Sequence, residues 1–210
     1  MKIQLLLLTF LILSKSILGQ GFAIAIDKNN FFYCGIENPI TISVENMKTN
    51  PVKLETNNGV IIGSKSNYVY IPQHPGSSQI IIKQKRGNKY VEVGRNDYRI
   101  FVVPDPTPMV MPTQGHGRSF FKAPDYFRVE LLNFDFDVRF DVNSFSFLIK
   151  KVDGIHTTEF VNQTALINEK IRTMIGSAIK GDTLVFDKIY VTGPTNITRR
   201  LKSYEYIIQH

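Results

Sequence analysis

The sequence holds a single cysteine, Cys34, and no tryptophan. One thiol excludes an intrachain disulfide and the paired-cysteine spacings of structural zinc sites. Beside Phe31, Phe32 and Tyr33 it reads as a small core residue, with a reactive or intermolecular thiol as the alternative. The histidines, His74, His116, His156 and His210, stand far apart, and no zinc spacing joins them to each other or to Cys34. There is no Gly-x-Ser-x-Gly nucleophile turn and no phosphate-binding loop, and Ser119 and Thr183 have no evident base. The expectation is therefore a protein that is not an enzyme, with no catalytic and no cofactor-binding residues. Long apolar runs are also missing beyond the first residues, so no membrane span is expected in the body of the chain.

The apolar run that does occur lies at the start. A basic Met1-Lys2 precedes Leu5 to Leu13, apolar except for Thr9, and small residues follow around Gly19 and Gln20. This is the pattern of a secretory signal peptide over residues 1–19, with cleavage at Gly19-Gln20. The run falls short of the ~20 residues a bilayer span needs, and Lys15 interrupts it. No cysteine follows it, which argues against a lipoprotein anchor. The net charge is +7; the first nineteen residues carry Lys2 and Lys15 and no acid, so their removal leaves +5. The densest basic run, Lys83, Lys85, Arg86 and Lys89, flanks Gly87-Asn88. With no nucleic-acid motif beside it, it reads as a solvated hairpin tip rather than a patch for an anionic partner, so no nucleic acid is expected.

From Phe22 to Val103 short apolar runs alternate with turn residues. Ile40, Ile42 and Val44 alternate with Thr41, Ser43 and Glu45; Asn57-Asn58-Gly59, Pro75-Gly76 and Arg86-Gly87-Asn88 mark turns between Val60-Ile61-Ile62, Tyr68 to Ile71, Ile80-Ile81-Ile82 and Lys89 to Val93. Such spacing without a helical stretch predicts an immunoglobulin-like β-sandwich over residues 21–103. Pro104-Asp105-Pro106-Thr107-Pro108 opens a stiff Pro/Gly linker, placed at 104–117, and a second β-rich domain with one helix is expected over 118–210. The fold class is thus mainly β.

The second domain centres on Leu132 to Val142, where even positions are apolar and odd positions polar, a period of two that predicts a half-buried strand. The phase flips at Phe145 and Phe147, so Asn143-Ser144 is expected to bend or bulge. Leu166, Ile167, Ile171, Met174, Ile175 and Ala178 follow helical spacing and predict a helix over Thr164 to Ile179, capped by Asn162 or Thr164 and stopped at Gly181. Thr183 to Phe186, Ile189 to Val191 and Leu201 to Ile208 read as strands. Asp135, Asp137 and Asp141 share one face of the central stretch and are the only metal candidates. Asp135 and Asp141 would stand ~20 Å apart on a straight strand, and Arg139 lies between them, so a solvated salt-bridged face is expected and no metal.

Four segments carry a resemblance. Cys34-Gly35-Ile36-Glu37-Asn38-Pro39-Ile40, Tyr98-Arg99-Ile100 through Pro104-Asp105-Pro106, Leu132 to Asp137 with Phe140 to Phe145, and Lys180-Gly181-Asp182 with Ile189, Gly193-Pro194 and Arg200-Leu201 stand in this order. Together they resemble the C-terminal periplasmic part, the third and fourth domains, of the gliding-motility and type IX secretion protein family GldM, called PorM in some relatives. The family begins with an inner-membrane anchor and long helical domains, whereas here a signal peptide leads straight into the third-domain equivalent.

The resemblance implies a Bacteroidota-type envelope and a free copy of the family's distal end. It implies an exported protein, periplasmic or outer-membrane-associated, with secretion into the medium the lesser alternative. Its partners would be envelope proteins, including outer-membrane-associated ring components of the machinery; the family's distal domains dimerise, so a homodimer is allowed. The function expected is a non-catalytic interaction module, an accessory of gliding or type IX secretion, docking through a sandwich edge or the groove between domains. Two alternatives stay open: an envelope enzyme or hydrolase inhibitor using Asp135, Asp137 or His156, and a surface glycan-binding adhesin using Tyr68, Tyr70 and Tyr90.

Overall fold

A computed structural model describes residues 21–26, 31–109 and 125–209. The expected signal peptide and most of the expected linker lie outside the described residues. The chain is mainly β, as expected, and divides into two compact units. The first comprises residues up to Phe32 together with Glu37–Ile100. The second comprises Tyr33–Ile36 together with residues from Phe101 onward. Among the described residues no helix is long and apolar enough to cross a membrane.

The first unit is a sandwich of two four-stranded sheets. One runs β1 (Phe22–Ile26), β3 (Asn38–Val44), β6 (Asn67–Ile71), β5 (Val60–Ser64), all antiparallel. The other runs β2 (Phe32–Tyr33), β8 (Lys89–Phe101), β7 (Gly76–Arg86), β4 (Val52–Thr56). Alternation places Ile40, Ile42, Val44, Tyr68, Tyr70, Ile80 and Ile82 inside. The β4 strand was not expected, because Lys53 and Glu55 give it a polar outward face and only Val52 and Leu54 mark its inner one.

The sandwich interior is partly polar and fully joined up. The Tyr70 hydroxyl donates to the Asn58 carbonyl (2.6 Å) and lies 2.6 Å from Ser78 Oγ. Ser78 in turn meets Thr56 Oγ1 at 3.0 Å. Asn38 Nδ2 donates to the Tyr70 carbonyl (3.1 Å). Buried polar groups without partners would each cost about 1–3 kcal/mol, so this network holds β4, β6 and β7 in one register.

The two outer faces differ in kind. On the β7 sheet, Glu55 binds Lys53 and Lys83, Arg95 grips Glu92 with two bonds of 2.7 and 2.8 Å, and Gln79 donates to Asp97. On the other sheet the outward positions of β1 and β3 are Ala23, Ala25, Pro39, Thr41 and Ser43. Those of β6 and β5 are Asn67, Val69, Ile71, Val60, Ile62 and Ser64. None of these carries a charge.

The second unit holds the sheet β12 (Phe160–Asn162), β11 (Asp141–Lys150), β13 (Thr183–Thr192), β14 (Thr198–Arg200), with β15 (Tyr204–Ile207) also on β13. A ribbon of β9 (Thr107–Met109) and β10 (Arg128–Glu130) belongs to it as well. Among the described residues one helix, α1 (Glu169–Gly176), presents Ile171 and Ile175 to Phe127, Phe145, Phe147 and Phe186. Asn143-Ser144 does bulge, between Val142 and Ser146, and this turns Phe145 and Phe147 into the core. Lys188, at φ 48°, takes up the compensating irregularity on β13.

Two expectations are corrected. Leu132 to Val142 is not a strand: Leu132-Asn133 turns, with Asn133 at φ 55°, and the ladder begins only at Asp141. The alternation from Phe134 to Phe140 survives, half-buried at even positions and exposed at odd ones. Its apolar side chains meet rings and a turn instead of a neighbouring strand. The helix is also shorter than Thr164–Ile179. Residues 165–167 are taken by a bridge to Asp125–Phe127, with Phe127 N–H to Ala165 O and Ile167 N–H to Asp125 O both at 2.9 Å or less. The buried Asn162 amide holds that turn by donating to Thr164 O and Leu166 O, so the cap falls to Asn168, whose Oδ1 accepts the Ile171 N–H (3.0 Å). At the other end the helix stops at Gly176, five residues before the expected glycine.

Phe22 closes the sandwich over Gly94. A Cβ placed on Gly94 would stand 2.2 Å from the Phe22 ring. Gly94→Ala should cost about 1–3 kcal/mol through overpacking, read as a lower urea midpoint with unchanged slope. Phe22→Leu in the same chain should recover part of the loss; additive losses would sink the assignment.

Candidate docking surface

The acidic candidates do not gather. Asp135, Asp137 and Asp141 are all exposed, and among the described residues no three His, Cys, Asp or Glu side chains come together where they could hold a metal ion. His156 bridges Lys150 at the mouth of a turn, while His116, His210 and Ser119 lie outside the described residues. Cys34 is buried, and burial pushes its thiol above the ordinary value. The basic run sits at the β7–β8 tip, where Gly87 takes φ 60°, the first central position of a II′ turn. Tyr68 and Tyr70 are core residues, which removes them from any glycan-binding surface.

What the tertiary structure does build is an apolar end on the second unit, organised by Asp182. This side chain has no exposure to solvent, and its carboxylate accepts from Lys151 Nζ (2.8 Å), Ile179 N–H (2.9 Å) and Val152 N–H (3.1 Å). Its own N–H donates to Ile179 O, and its carbonyl accepts the Ile208 N–H. Burial alone would raise the Asp182 carboxyl; the Lys151 ammonium and the two backbone donors outweigh it and hold the group below the ordinary aspartate range. Gly181, at φ 89°, lets the chain pass beneath Val152, whose Cγ2 would be 2.5 Å from any Cβ there.

Around this hub stand four aliphatic side chains. Val152 is 68% exposed, Ile155 66%, Ile179 62% and Ile207 58%. They come from the β11–β12 turn, the exit of α1 and the end of β15. Their backbones are fixed by Asp182 and its neighbours: Val152 and Ile179 donate to the same carboxylate, Ile155 O accepts the Lys151 N–H, and Ile207 pairs with Thr183. Four branched apolar side chains exposed on backbones that meet at one point make this end the candidate docking surface. Sequence reasoning missed it. The nearest signal was Val152 and Ile155 on either side of the Asp153-Gly154 turn, where polar residues are the rule.

A second construction fixes the start of this unit. Arg199 Nη1 donates to Val103 O (2.7 Å) and Asp105 Oδ1 (3.0 Å), and its guanidinium lies 5.4 Å from the Phe140 ring centre. Phe140 in turn covers Gly193, where a Cβ would come within 2.6 Å of the ring. Gly35, at φ 77°, packs against Pro194 and Thr195, and Tyr33 meets the rings of Phe134 (4.8 Å) and Phe136 (5.5 Å). Residues 33–35, 103–105, 134–140 and 193–199 therefore meet within the second unit.

Asp182→Asn should lower stability at neutral pH. A depressed folded value contributes stability above the unfolded value of ~3.9 that is lost as pH falls through the folded one. Urea titrations across the acid range should show a flatter acid limb in the variant; equal limbs would count against the hub. Arg199→Ala should cost about 2 kcal/mol, from two charge-assisted hydrogen bonds and a ring contact. Arg199→Lys should recover part of it, because both bonds leave from Nη1 and an ammonium can make them without the flat guanidinium contact on Phe140, when both are followed by thermal melting.

Comparison with known families divides the chain as the fold does, save that Tyr33–Ile36 belongs to the second unit. Residues 22–100 match the family described as the GldM third domain, and residues 104–209 match the GldM C-terminal domain. No curated protein matches the chain. Between them the two matches take in both compact units in the family's own order, and the chain belongs to the GldM family through its third and C-terminal domains.

Proposed function

We propose that this protein is a non-catalytic interaction module of the envelope, docking a protein partner through the aliphatic end of its second unit. Domains of the GldM family are periplasmic structural parts of the gliding and type IX secretion machinery. That membership supports an accessory role there, with envelope proteins, ring components at the outer membrane among them, as partners. The observation that carries the reading is the set Val152, Ile155, Ile179 and Ile207, each more than half exposed, with the Val152 and Ile179 N–H groups bound to Asp182, Ile155 bound to Lys151 and Ile207 paired with Thr183. Preorganised apolar side chains lose little entropy on binding, so they favour docking over chemistry. The nearby charges do not select an anionic surface: Lys150 is bound to Glu205 and Lys151 to Asp182.

Tagged protein purified from its own fractionated cells should bring down envelope proteins identified by mass spectrometry. Val152→Lys with Ile179→Lys should abolish that recovery while leaving the melting temperature within a few degrees of the parent, as surface changes do. Undiminished recovery by the double variant would remove this end of the unit from the binding role.

A further inference from the structure

The uncharged outer face of the first unit has an unfinished edge. Its aliphatic rows run across the strands, Pro39–Val69–Ile62 from β3 through β6 to β5, and Ile71–Val60 from β6 to β5. Val69 and Ile71 are half-buried by their neighbours, whereas Ile62 is 63% and Val60 46% exposed. Exposure thus rises toward the margin, as it does where a row of packed side chains lacks its next member.

Within the margin strand there is neither charge nor proline, although Lys65 follows it directly and β4 approaches it from the other sheet. Natural sheets blunt an edge with charge, proline, a bulge or brevity. Here β4 carries Lys53 and Glu55, β14 carries Arg199 and Arg200, β15 carries Glu205, and β12 has three residues. In contrast β5 has five residues with no charge and no proline, and among the described residues it pairs with β6 alone. At the opposite margin β1 offers outward alanines, which supply little apolar area.

We infer that β5 is a strand-addition site for an extended, uncharged segment of another protein, aliphatic at alternate positions. Such a segment would continue the sheet by backbone hydrogen bonds and extend the two aliphatic rows by one member. Charge sets the partner's chemistry. A lysine or glutamate laid beside Ile62 would be desolvated on a face without a single counter-charge, a cost that an uncharged side chain does not meet. This surface is separate from the end of the second unit, and its success or failure leaves that proposal as it stands.

The test uses the full mature chain and two capped peptides, one alternating valine and threonine, the other with lysine in place of each valine. Amide hydrogen exchange is followed residue by residue. The valine peptide should slow exchange at Val60–Ser64 about tenfold at saturation; the lysine peptide should not. Ile62→Lys should lose the protection, and Ile62→Thr, a milder change on the same face, should reduce it. Unchanged β5 exchange with the valine peptide, equal protection by both peptides, or full protection in Ile62→Lys would each overturn the assignment.

Discussion

A single buried carboxylate organises the end of the second unit. A dry Asp182 can stay ionised only where donors replace the water it has lost, and the donors available are Lys151 and two backbone N–H groups from separate segments. Satisfying them brings the β11–β12 turn and the exit of α1 to one point. The Asp182 main chain adds the tail of the chain through Ile208. Three segments far apart in sequence become neighbours because one charge needs all of its partners.

That constraint shapes the surface. Val152, Ile155, Ile179 and Ile207 would be ordinary scattered surface aliphatics if their backbones were independent. Held around one hub, they form a preorganised apolar end. The first unit reaches a similar outcome by different physics. Its hydroxyl network through Tyr70, Ser78 and Thr56 fixes register from inside, and register decides which side chains face out. One outer face receives paired charges. The other receives none, and its aliphatic rows end exposed on β5.

The fold class was legible because period-two alternation is a local property of the chain. Ile40-Ile42-Val44 and the turn at Gly87-Asn88 needed no tertiary information, and even the bulge at Asn143-Ser144 followed from the phase change before Phe145. The Phe134 to Phe140 alternation was read correctly as burial and wrongly as a ladder. A buried face requires partners, but the pattern does not say whether these are a strand or, as here, the Tyr33 ring and Gly193. The helix shows the same limit: the apolar spacing from Leu166 is helical, yet Asn162 and the bridge to Asp125–Phe127 claim the backbone that its first turn would need.

The sequence by itself determined the strand-rich class, the order of the two units and the segments by which the family is known, because these depend on neighbours along the chain. The tertiary structure alone decided the rest. Asp182, Lys151 and Arg199 gain their roles from partners tens of residues away, and no periodicity marks a residue whose purpose is to satisfy a distant one. The aliphatic end of the second unit and the β5 margin arise likewise, since exposure is settled by what the fold leaves uncovered.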